Sequence, residues 1–454
     1  MDINIFEVSL NISPFELFRR ISPEDGWIFF DSSLQNVPYS KYSILCIKPK
    51  SIVTYENNQL LIKSENVEIV QTTEPLKVIR NLFNEYKNDI QPVLDSETFT
   101  SGFAGYLNYD FGMSIEKIQS KNLPYANFPE IFFAFFESVL VYNHDTKKYT
   151  VYSTSSPKEF LNFIFRRFEN PVKSNYKHSD IKLKSNFTKE EYIQTVVRIK
   201  KYIEEGDVYQ INLSQQFIAE TELHPVEIYS KLREKNPAQF SALICINPGK
   251  WILSSSPELF IDLKNGRAIT KPIKGTIKRG NTPEEDENLK MQLYTSEKDS
   301  AELLMIVDLE RNDLGKICKP GSVKVNSLKK IETYASVHHL VAEIEGTLEE
   351  GKDIFDLIEA MFPGGSITGA PKRRAMEIID ELEKTKRGIY TGSIGYIDLS
   401  GNAMFNIAIR TLIYDSGKLY LNLGGGIVYD SEPEKEFEET LHKGRAIFLS
   451  LISD

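Results

Sequence analysis

Hydrophobic and polar positions follow two different patterns along the chain. Before residue 170, short runs of aromatic and β-branched residues are separated by turn residues, which predicts a sheet-rich region. The most apolar run, 131–142, is interrupted by Glu137 and is too short to span a bilayer, so we interpret it as a pair of buried strands. The polar stretch 171–186 carries few large apolar side chains and predicts a connecting segment.

Helix signals follow that segment. Thr188 and Glu191 have the spacing of a capping box, apolar residues then recur at helical intervals, and Gly206 ends the pattern. Three more helices are predicted in the same way, over 284–317, after Pro371, and from Ser431, where Glu434 would complete a second capping box.

Three strand patterns lie between the last two of these helices. They cover 390–398, 403–415 and 418–423, and Ser-Gly turns separate them. Strands that are joined by tight turns are antiparallel. The predicted fold class is therefore α+β, with antiparallel sheets and helices packed outside them.

Composition limits the expected partners and the compartment. The 454 residues include 54 basic and 64 acidic side chains, a net charge of -10, which argues against nucleic acid or an anionic membrane as a partner. The three cysteines have no C-x-x-C spacing, so neither a disulfide framework nor a structural zinc site is expected. The N-terminus lacks the basic region of a signal peptide, and we expect a cytoplasmic protein.

Two helices carry candidate metal ligands. Glu436, Glu439 and Lys443 share one helical face, and two carboxylates one turn apart repel each other. A bound Mg²⁺ would remove that repulsion and keep coordination positions for a substrate. Glu302 lies among apolar residues and would also need a partner or a metal. The alternatives are a solvated acidic face on the last helix and a salt bridge from Glu302 to Lys298.

Other residues are candidates for anion binding and for nucleophilic chemistry. Strand alternation places Arg410 on a sheet face beside small residues, where it either holds a carboxylate or is an ordinary surface side chain. Gly424, Gly425 and Gly426 either let backbone approach a ligand or form a turn. Lys274, beside a glycine, is either an exposed turn residue or, if its pKa is lowered by burial or nearby cations, a nucleophile.

Several segments in chain order carry a resemblance to a known family. They are GDVYQINLSQ, SSSPELFI, PIKGT, AELLMIVDLERNDLGKIC, SVHHL, FPGGSITGAPK, GSIGY, NIAIRTL, GGGIVYDSEPEKEFEET and the trailing Lys443. Together they resemble the chorismate-utilising enzymes, which include component I of anthranilate synthase and of aminodeoxychorismate synthase and the isochorismate and salicylate synthases. The resemblance covers most of 185–454, while the first part matches chiefly through GFAGYLNYD at 102–110. It implies a sandwich of antiparallel sheets, with an N-terminal region at 1–180 and a chorismate-binding catalytic region at 181–454.

The resemblance also implies roles for individual residues in a magnesium-dependent reaction on chorismate. Glu302, Glu436 and Glu439 resemble the family's magnesium-binding acids. Glu258 resembles the general acid near the leaving 4-hydroxyl, and His339 matches the active-site histidine. The positions that resemble substrate-binding groups are Arg410, Lys443, Tyr390, Gly275, Thr276, Gly424, Gly425 and Gly426.

Two positions discriminate among activities within the family. Isochorismate and salicylate makers carry a water-activating lysine where this sequence has Gln210, which argues against those activities. Anthranilate synthases typically have P-I-A-G-T, whereas PIKGT with Lys274 resembles the aminodeoxychorismate synthases, in which the lysine forms a covalent intermediate and nitrogen is added at C4. The alternatives are amination at C2, as in anthranilate synthases, and a non-catalytic relative that only binds a ligand.

Partners follow from the same resemblance. Ammonia would come from a separate glutamine amidotransferase subunit, and a separate lyase would act on 4-amino-4-deoxychorismate on the route to 4-aminobenzoate and folate. Regulated anthranilate synthases carry an L-L-E-S motif near the N-terminus. The nearest stretch here is FFDSS, with Asp31 in place of the glutamate, so tryptophan is expected either to bind there structurally or not at all.

Overall fold

Two large antiparallel β-sheets form the centre of the protein. The computed structural model describes residues 1–169, 181–334 and 337–452, and in that part of the chain each sheet has 12 strands. In sheet one the strands follow the order β1 (Asn4–Val8), β10 (Lys148–Ser153), β9 (Ser138–Asn143), β3 (Tyr42–Cys46), β2 (Trp27–Asp31), β13 (Phe240–Asn247), β14 (Lys250–Ser256), β23 (Thr411–Asp415), β24 (Lys418–Ile427), β12 (Gln210–Glu220) and β11 (Lys184–Ser185), with β20 (Gly369–Ala370) paired to β12.

Sheet two is built in the same antiparallel manner. Its strands follow the order β17 (Ile273–Lys278), β19 (Val337–Thr347), β16 (Arg267–Lys271), β15 (Leu259–Lys264), β22 (Ala403–Asn406), β21 (Ser393–Asp398), β7 (Gly102–Leu107), β8 (Ile131–Phe136), β4 (Ser51–Glu56), β5 (Gln59–Lys63) and β6 (Val67–Gln71), with β18 (Lys324–Thr333) paired to β19.

Helices cover the outer faces of the sheets. They are α1 (Pro14–Arg20), α2 (Pro75–Asp89), α3 (Tyr109–Ile115), α4 (Pro157–Glu169), α5 (Lys189–Glu204), α6 (Pro225–Lys235), α7 (Pro283–Thr295), α8 (Glu297–Gly315), α9 (Ile354–Met361), a 3₁₀ turn at Gly365–Ile367, α10 (Lys372–Leu382) and α11 (Pro433–Ser450). Among the described residues, no helix has the length and apolar character needed to cross a membrane.

Three apolar layers show how the sheets and helices pack. Ile252 of sheet one and Phe132 of sheet two belong to one buried cluster between the sheets. A second cluster joins sheet one to helices α1, α6 and α11, and a third joins sheet two to helices α2, α8 and α9. The arrangement confirms the predicted α+β class, with antiparallel sheets packed as a sandwich and helices outside.

Both sheets combine strands from the two halves of the sequence. Strand β2 pairs with β13 in sheet one, and β7 pairs with β21 in sheet two, so residues before 170 and after 181 share both hydrogen-bonded ladders. Of the predicted connecting segment 171–186, residues 171–180 and the proposed boundary at 180 lie outside the described residues. The rest includes β11, a two-residue strand.

The strand predictions hold for position but not always for pairing. The run 131–142 does form two buried strands, β8 and β9, but they join different sheets and do not pair with each other. The pattern 403–415 is likewise two strands, β22 in sheet two and β23 in sheet one. The alternation of side chains along a strand shows which residues share a face, but it does not show which strand pairs with it. The pattern therefore does not reveal where the chain passes from one sheet to the other.

Two helix predictions need correction. The helix expected over 284–317 is broken at Ser296, which ends α7 and caps α8, because its hydroxyl accepts the Asp299 N–H at 3.2 Å. Helix α11 begins at Pro433 with Glu432 as its N-cap residue, so the predicted Ser431–Glu434 capping box is absent. The Ser431 hydroxyl instead donates to Glu436 Oε1 at 2.7 Å, since the buried carboxylate needs that hydrogen bond.

The other helix starts agree with prediction. Helix α5 begins at the predicted capping box, where the Thr188 hydroxyl accepts the Glu191 N–H and the Glu191 carboxylate accepts the Thr188 N–H. Helix α10 follows Pro371, which occupies the N-cap position just before the first turn.

Candidate active site

Two crossings of the chain between the sheets carry Glu258 and Arg410. The first crossing joins β14 to β15 and the second joins β22 to β23. They lie side by side, because the Ile407 N–H donates to the Glu258 carbonyl at 3.0 Å and the Ser255 N–H donates to the Arg410 carbonyl at 3.1 Å. Arg410 is therefore not on a strand face as predicted, and its φ of 51° belongs to the crossing.

A buried serine connects Glu258 with Lys274. The Ser366 hydroxyl donates to Glu258 Oε1 at 2.6 Å, and the Ser366 carbonyl accepts from Lys274 Nζ at 3.1 Å. Burial raises the pKa of the Glu258 carboxyl and lowers the pKa of the Lys274 amine. A carboxyl with a raised pKa and an amine with a lowered pKa are thereby both in contact with one residue.

The strand that carries Lys274 is bent at Gly275. This residue has a φ of +76°, and an added methyl group would lie 2.9 Å from Leu293 Cδ1, so a glycine is required. The next residue, Thr276, hydrogen-bonds to His339 Nδ1 at 2.8 Å. Burial, followed by the charge of Arg410, lowers the pKa of His339 to about 3, which leaves its imidazole neutral. His338 is turned elsewhere, to Asp286.

The three consecutive glycines of β24 line the site with bare backbone. A methyl group added at Gly424 would lie 2.8 Å from the Tyr390 hydroxyl, and one at Gly426 would lie 3.5 Å from Lys274 Nζ. One at Gly425 would lie 3.5 Å from Glu436 Oε2 and 3.5 Å from Glu439 Oε1. These glycines are thus in an extended strand rather than a turn, and a side chain on Gly424 or Gly426 would collide with its neighbours, so only glycine lets the backbone lie this close to them.

The three predicted acids lie on α8 and α11, and the two on α11 approach this strand. Glu436 is buried, and its Oε2 has no hydrogen-bond partner among the described residues. Lys298 Nζ lies between the two helices, 3.4 Å from Glu436 Oε1 and 4.0 Å from Glu302 Oε1. The salt bridge to Lys298, which the sequence offers as the alternative for Glu302, is therefore present. Burial raises the pKa of Glu302.

Glu439 and Lys443 form the outer part of the same group. Lys443 Nζ is 2.7 Å from Glu439 Oε1 and donates to the Gly424 carbonyl at 3.1 Å. Within the described parts of the chain, no three His, Cys, Asp or Glu side chains are close enough together to hold a metal ion as they stand. A cation nevertheless fits this place, because Glu436 has an oxygen without a partner and the Lys298 ammonium already lies between the two helices. Two carboxylates, with water and substrate as further ligands, suffice to bind Mg²⁺.

Remaining predicted side chains border the same space. Tyr390 is buried, and burial raises its pKa to about 12, so its hydroxyl stays protonated and can donate a hydrogen bond. Arg410 is half-buried and its Nη1 is 3.5 Å from Asn236 Oδ1. The other guanidinium N–H groups of this fork are suited to a carboxylate.

The sequence that supplies these residues matches a known protein family. Residues 30–449 match the family described as chorismate binding enzyme. The chain belongs to the chorismate binding enzymes.

Individual members of the chorismate binding enzymes are similar over nearly the whole chain. The protein is 35% identical over 476 residues to anthranilate synthase component 1 of Acetivibrio thermocellus, covering 99% of this chain and 96% of that relative. It is 36% identical over 425 residues to aminodeoxychorismate synthase component 1 of Bacillus subtilis (strain 168), covering 91% and 90%. The structure of anthranilate synthase component I from Streptococcus pneumoniae TIGR4 superposes with a TM-score of 0.80 at 29% identity, covering 96% of this chain and 97% of that chain.

Sequence reasoning did not single out every residue that contacts this chorismate-family site. Ser366 lies within the motif FPGGSITGAPK, but a buried serine has no sequence signal of its own. Helical spacing predicts Lys298 only as a partner of Glu302, although its amine also reaches Glu436 on another helix. Both contacts join segments that are distant in the sequence.

A second cavity lies beside the N-terminal strands. It measures about 230 Å³ and is lined by residues of both sheets, including Asp31 and Tyr396. Asp31 is buried, and it accepts from Arg233 Nε at 2.7 Å and from the Tyr229 hydroxyl at 3.2 Å. Arg233 therefore neutralises the charge of this carboxylate beside the cavity.

Proposed function

We propose that the protein is aminodeoxychorismate synthase component I, which aminates chorismate at C4 in a magnesium-dependent reaction. The product would be 4-amino-4-deoxychorismate, a precursor of 4-aminobenzoate and folate. The observation that carries the proposal is the position of Lys274. Its amine faces the glycine strand, shares Ser366 with Glu258, and has a pKa lowered by burial.

The positive groups of the site would neutralise the two negative charges of chorismate, although the protein as a whole is acidic. Glu302, Glu436 and Glu439 would hold Mg²⁺, which when bound would neutralise a carboxylate of chorismate. We assign the second carboxylate to Arg410 and Lys443, with a hydrogen bond from the Tyr390 hydroxyl. The backbones of Gly424, Gly425 and Gly426, together with Gly275 and Thr276, would border the ring.

The reaction would proceed through two displacements in which the double bonds of the ring shift. The neutral amine of Lys274 attacks C2, and the 4-hydroxyl leaves as water with the proton of Glu258. The surplus proton of the new secondary amine returns to the Glu258 carboxylate. Ammonia then adds at C4, the bond from C2 to Lys274 breaks, and the surplus proton of the added nitrogen returns to the departing lysine. His339 is neutral and contributes a hydrogen bond rather than a charge.

A second function has support of its own. Amination at C2 with loss of pyruvate, as in anthranilate synthase, is favoured by the similarity to relatives of that name, which is as high as the similarity to aminodeoxychorismate synthases. We prefer amination at C4, because one displacement by ammonia adds nitrogen at C2, whereas a preceding attack by Lys274 directs it to C4. Gln210, which is not a general base, argues against activation of water.

Ammonia would come from a partner. The similar relatives are named component 1, and we propose that a glutamine amidotransferase subunit binds this chain and supplies ammonia, which a concentrated ammonium salt replaces in vitro. A separate lyase would then remove pyruvate from the aminated product.

The product decides between the two functions. Purified protein is incubated with chorismate, Mg²⁺ and an ammonium salt, and the mixture is separated by chromatography. We expect 4-amino-4-deoxychorismate, which a lyase converts to 4-aminobenzoate, and no reaction after chelation of the metal. Fluorescent anthranilate formed without a lyase would show that the second function is correct, and activity that survives chelation would contradict the role of the acids.

Replacing the lysine tests the covalent route. In Lys274→Ala we expect amination at C4 to fall on the order of 10³-fold or more, since the nucleophile is lost. Lys278→Ala, on the same strand and exposed, is the matched control and should retain wild-type rates. Undiminished formation of aminodeoxychorismate by folded Lys274→Ala would rule out the covalent intermediate.

A further inference from the structure

Ser366 contacts both of the groups that carry the proposed reaction. Its hydroxyl donates to Glu258 Oε1, and its carbonyl accepts from Lys274 Nζ, at 2.6 and 3.1 Å. We propose that Ser366 is a positioning residue, which fixes the acid and the nucleophile relative to each other and selects the carboxyl oxygen that delivers the proton. This inference rests on the proposed function and names a further residue that sets the geometry of the proposed reaction.

The hydroxyl contact determines where Glu258 holds its proton. A hydroxyl donates one proton, so the oxygen that receives it, Oε1, acts as an acceptor. While Ser366 donates to Oε1, the proton of the protonated acid lies on Oε2, the oxygen that is not bonded to Ser366. The acid then faces the leaving hydroxyl with one defined oxygen, rather than with either of two.

The carbonyl contact restricts the amine of Lys274. A neutral amine has two N–H bonds and one lone pair, arranged tetrahedrally. When one N–H is bound to the Ser366 carbonyl, the lone pair can point only in the directions that remain. A nucleophile that is held in this way spends more of its time in a geometry suited to attack.

The residues before and after Ser366 are both held by hydrogen bonds to buried polar groups. The Gly365 N–H donates to Glu310 Oε1 at 3.0 Å, and Glu310 is buried. The Ile367 carbonyl accepts from Asn212 Nδ2 at 3.0 Å and from Arg387 Nη1 at 2.9 Å. With both neighbours fixed by buried polar groups, Ser366 can hold its two partners at a constant separation.

Ser366→Ala tests the hydroxyl contact, because it keeps the backbone carbonyl. At saturating chorismate and fixed ammonium, we expect kcat to fall about 10- to 100-fold with little change in KM, as for a misplaced general acid. Loss of a hydrogen bond to the carboxylate also keeps Glu258 protonated to higher pH, so the pH optimum should move upward. Ser366→Thr, which restores a hydroxyl, should recover both the rate and the optimum.

A purely structural role predicts a different result. It would lower the rate equally at every pH, so an unchanged pH optimum in Ser366→Ala, or a wild-type rate, overturns the proposal. Ser101→Ala is the matched control, since Ser101 is a buried serine whose hydroxyl donates to the Phe136 carbonyl at 2.8 Å, and its optimum should not move. If Ser366→Ala does not fold, Ser366→Cys carries the test, because a thiol is a weaker donor and should move the optimum less in the same direction.

The same experiment separates this inference from the proposed function. If the wild-type product is anthranilate, the proposed function fails. The 4-hydroxyl also leaves in that reaction, so an upward shift of the optimum in Ser366→Ala would still support the contact with Glu258. If the product is aminodeoxychorismate and the optimum does not move, the proposed function stands and the role of Ser366 is rejected.

Discussion

At the scale of single residues, neighbouring amines and carboxyls change the pKa of Lys274 in opposite directions. Burial and the charge of Lys443 lower the pKa of Lys274, while Glu302, Glu258 and Glu439 raise it, and the net shift is downward. A cation bound to the acids would remove part of the upward influence. Metal binding would therefore help to produce the neutral amine that the proposed attack requires.

The pH dependence should reflect Lys274 and Glu258 but not His339. The rate should fall at acid pH as Lys274 gains a proton and at alkaline pH as Glu258 loses one. The pKa of His339, about 3, is below the assay range of about pH 6 to 9, so His339→Gln should lower the rate without moving the optimum. A pH-rate profile of this variant gives the test, and an optimum displaced by about half a unit or more would mean that His339 titrates in the assay range.

At the scale of elements, α8 and α11 bring acids from distant parts of the sequence to one strand of glycines. Lys298 of α8 reaches Glu436 of α11 at 3.4 Å, so the two helices are joined by a cation of the protein itself. A metal ion would compete with this amine for the same carboxylates. The strength of metal binding should therefore depend on Lys298.

Removal of Lys298 should strengthen metal binding in the absence of chorismate. In Lys298→Met we expect the Kd for Mn²⁺, used as a spectroscopic substitute for Mg²⁺, to decrease about two- to fivefold, which corresponds to a partly exposed ion pair. Electron paramagnetic resonance of free Mn²⁺ measures this without any turnover. Lys435→Met removes an exposed lysine from α11 and is the control. Weaker Mn²⁺ binding in Lys298→Met would show that the amine assists the metal instead.

Sequence predicted elements well where their signals are local. The capping box at Thr188 depends on residues three apart, and the structure has both of its hydrogen bonds. Ser431 fails as a cap because a buried carboxylate, Glu436, takes its hydroxyl. The periodicity of 284–317 likewise continues through Ser296 and conceals a break.

Contacts between distant segments were accessible only through the family resemblance. Local sequence left Lys274 undecided between a turn residue and a nucleophile, since burial decides its pKa. Strand alternation placed Arg410 on a sheet face, whereas the chain leaves the sheet at that point. The contacts of Ser366 join residues about 100 positions apart, and no pattern within a strand or helix encodes them.

At the scale of the whole molecule, both sheets combine strands from the two parts of the sequence, which predicts one cooperative unit. The β2–β13 and β7–β21 pairs join residues before 170 to residues after 181, and the cluster between the sheets draws on both parts. Neither part can therefore bury its apolar surface alone. Fragments cut near residue 180 should not fold independently.

Two buried tryptophans allow cooperativity to be measured. Trp27 lies on β2 and Trp251 on β14, one in each part of the sequence. In Trp251→Phe and Trp27→Phe, the remaining indole reports on one part. We expect fluorescence and circular dichroism to give the same urea midpoint within each variant. Separate transitions for the indole signal and the helix signal would show two units that unfold independently.

Covalent capture on Lys274 tests the central claim most directly. The protein is mixed with chorismate and Mg²⁺ without ammonium, quenched within one turnover and analysed by mass spectrometry, intact and after tryptic digestion. We predict a mass increase of one chorismate minus one water, located on Lys274, with loss of tryptic cleavage after that residue. An unmodified Lys274 in protein that forms aminodeoxychorismate once ammonium is added would contradict the account.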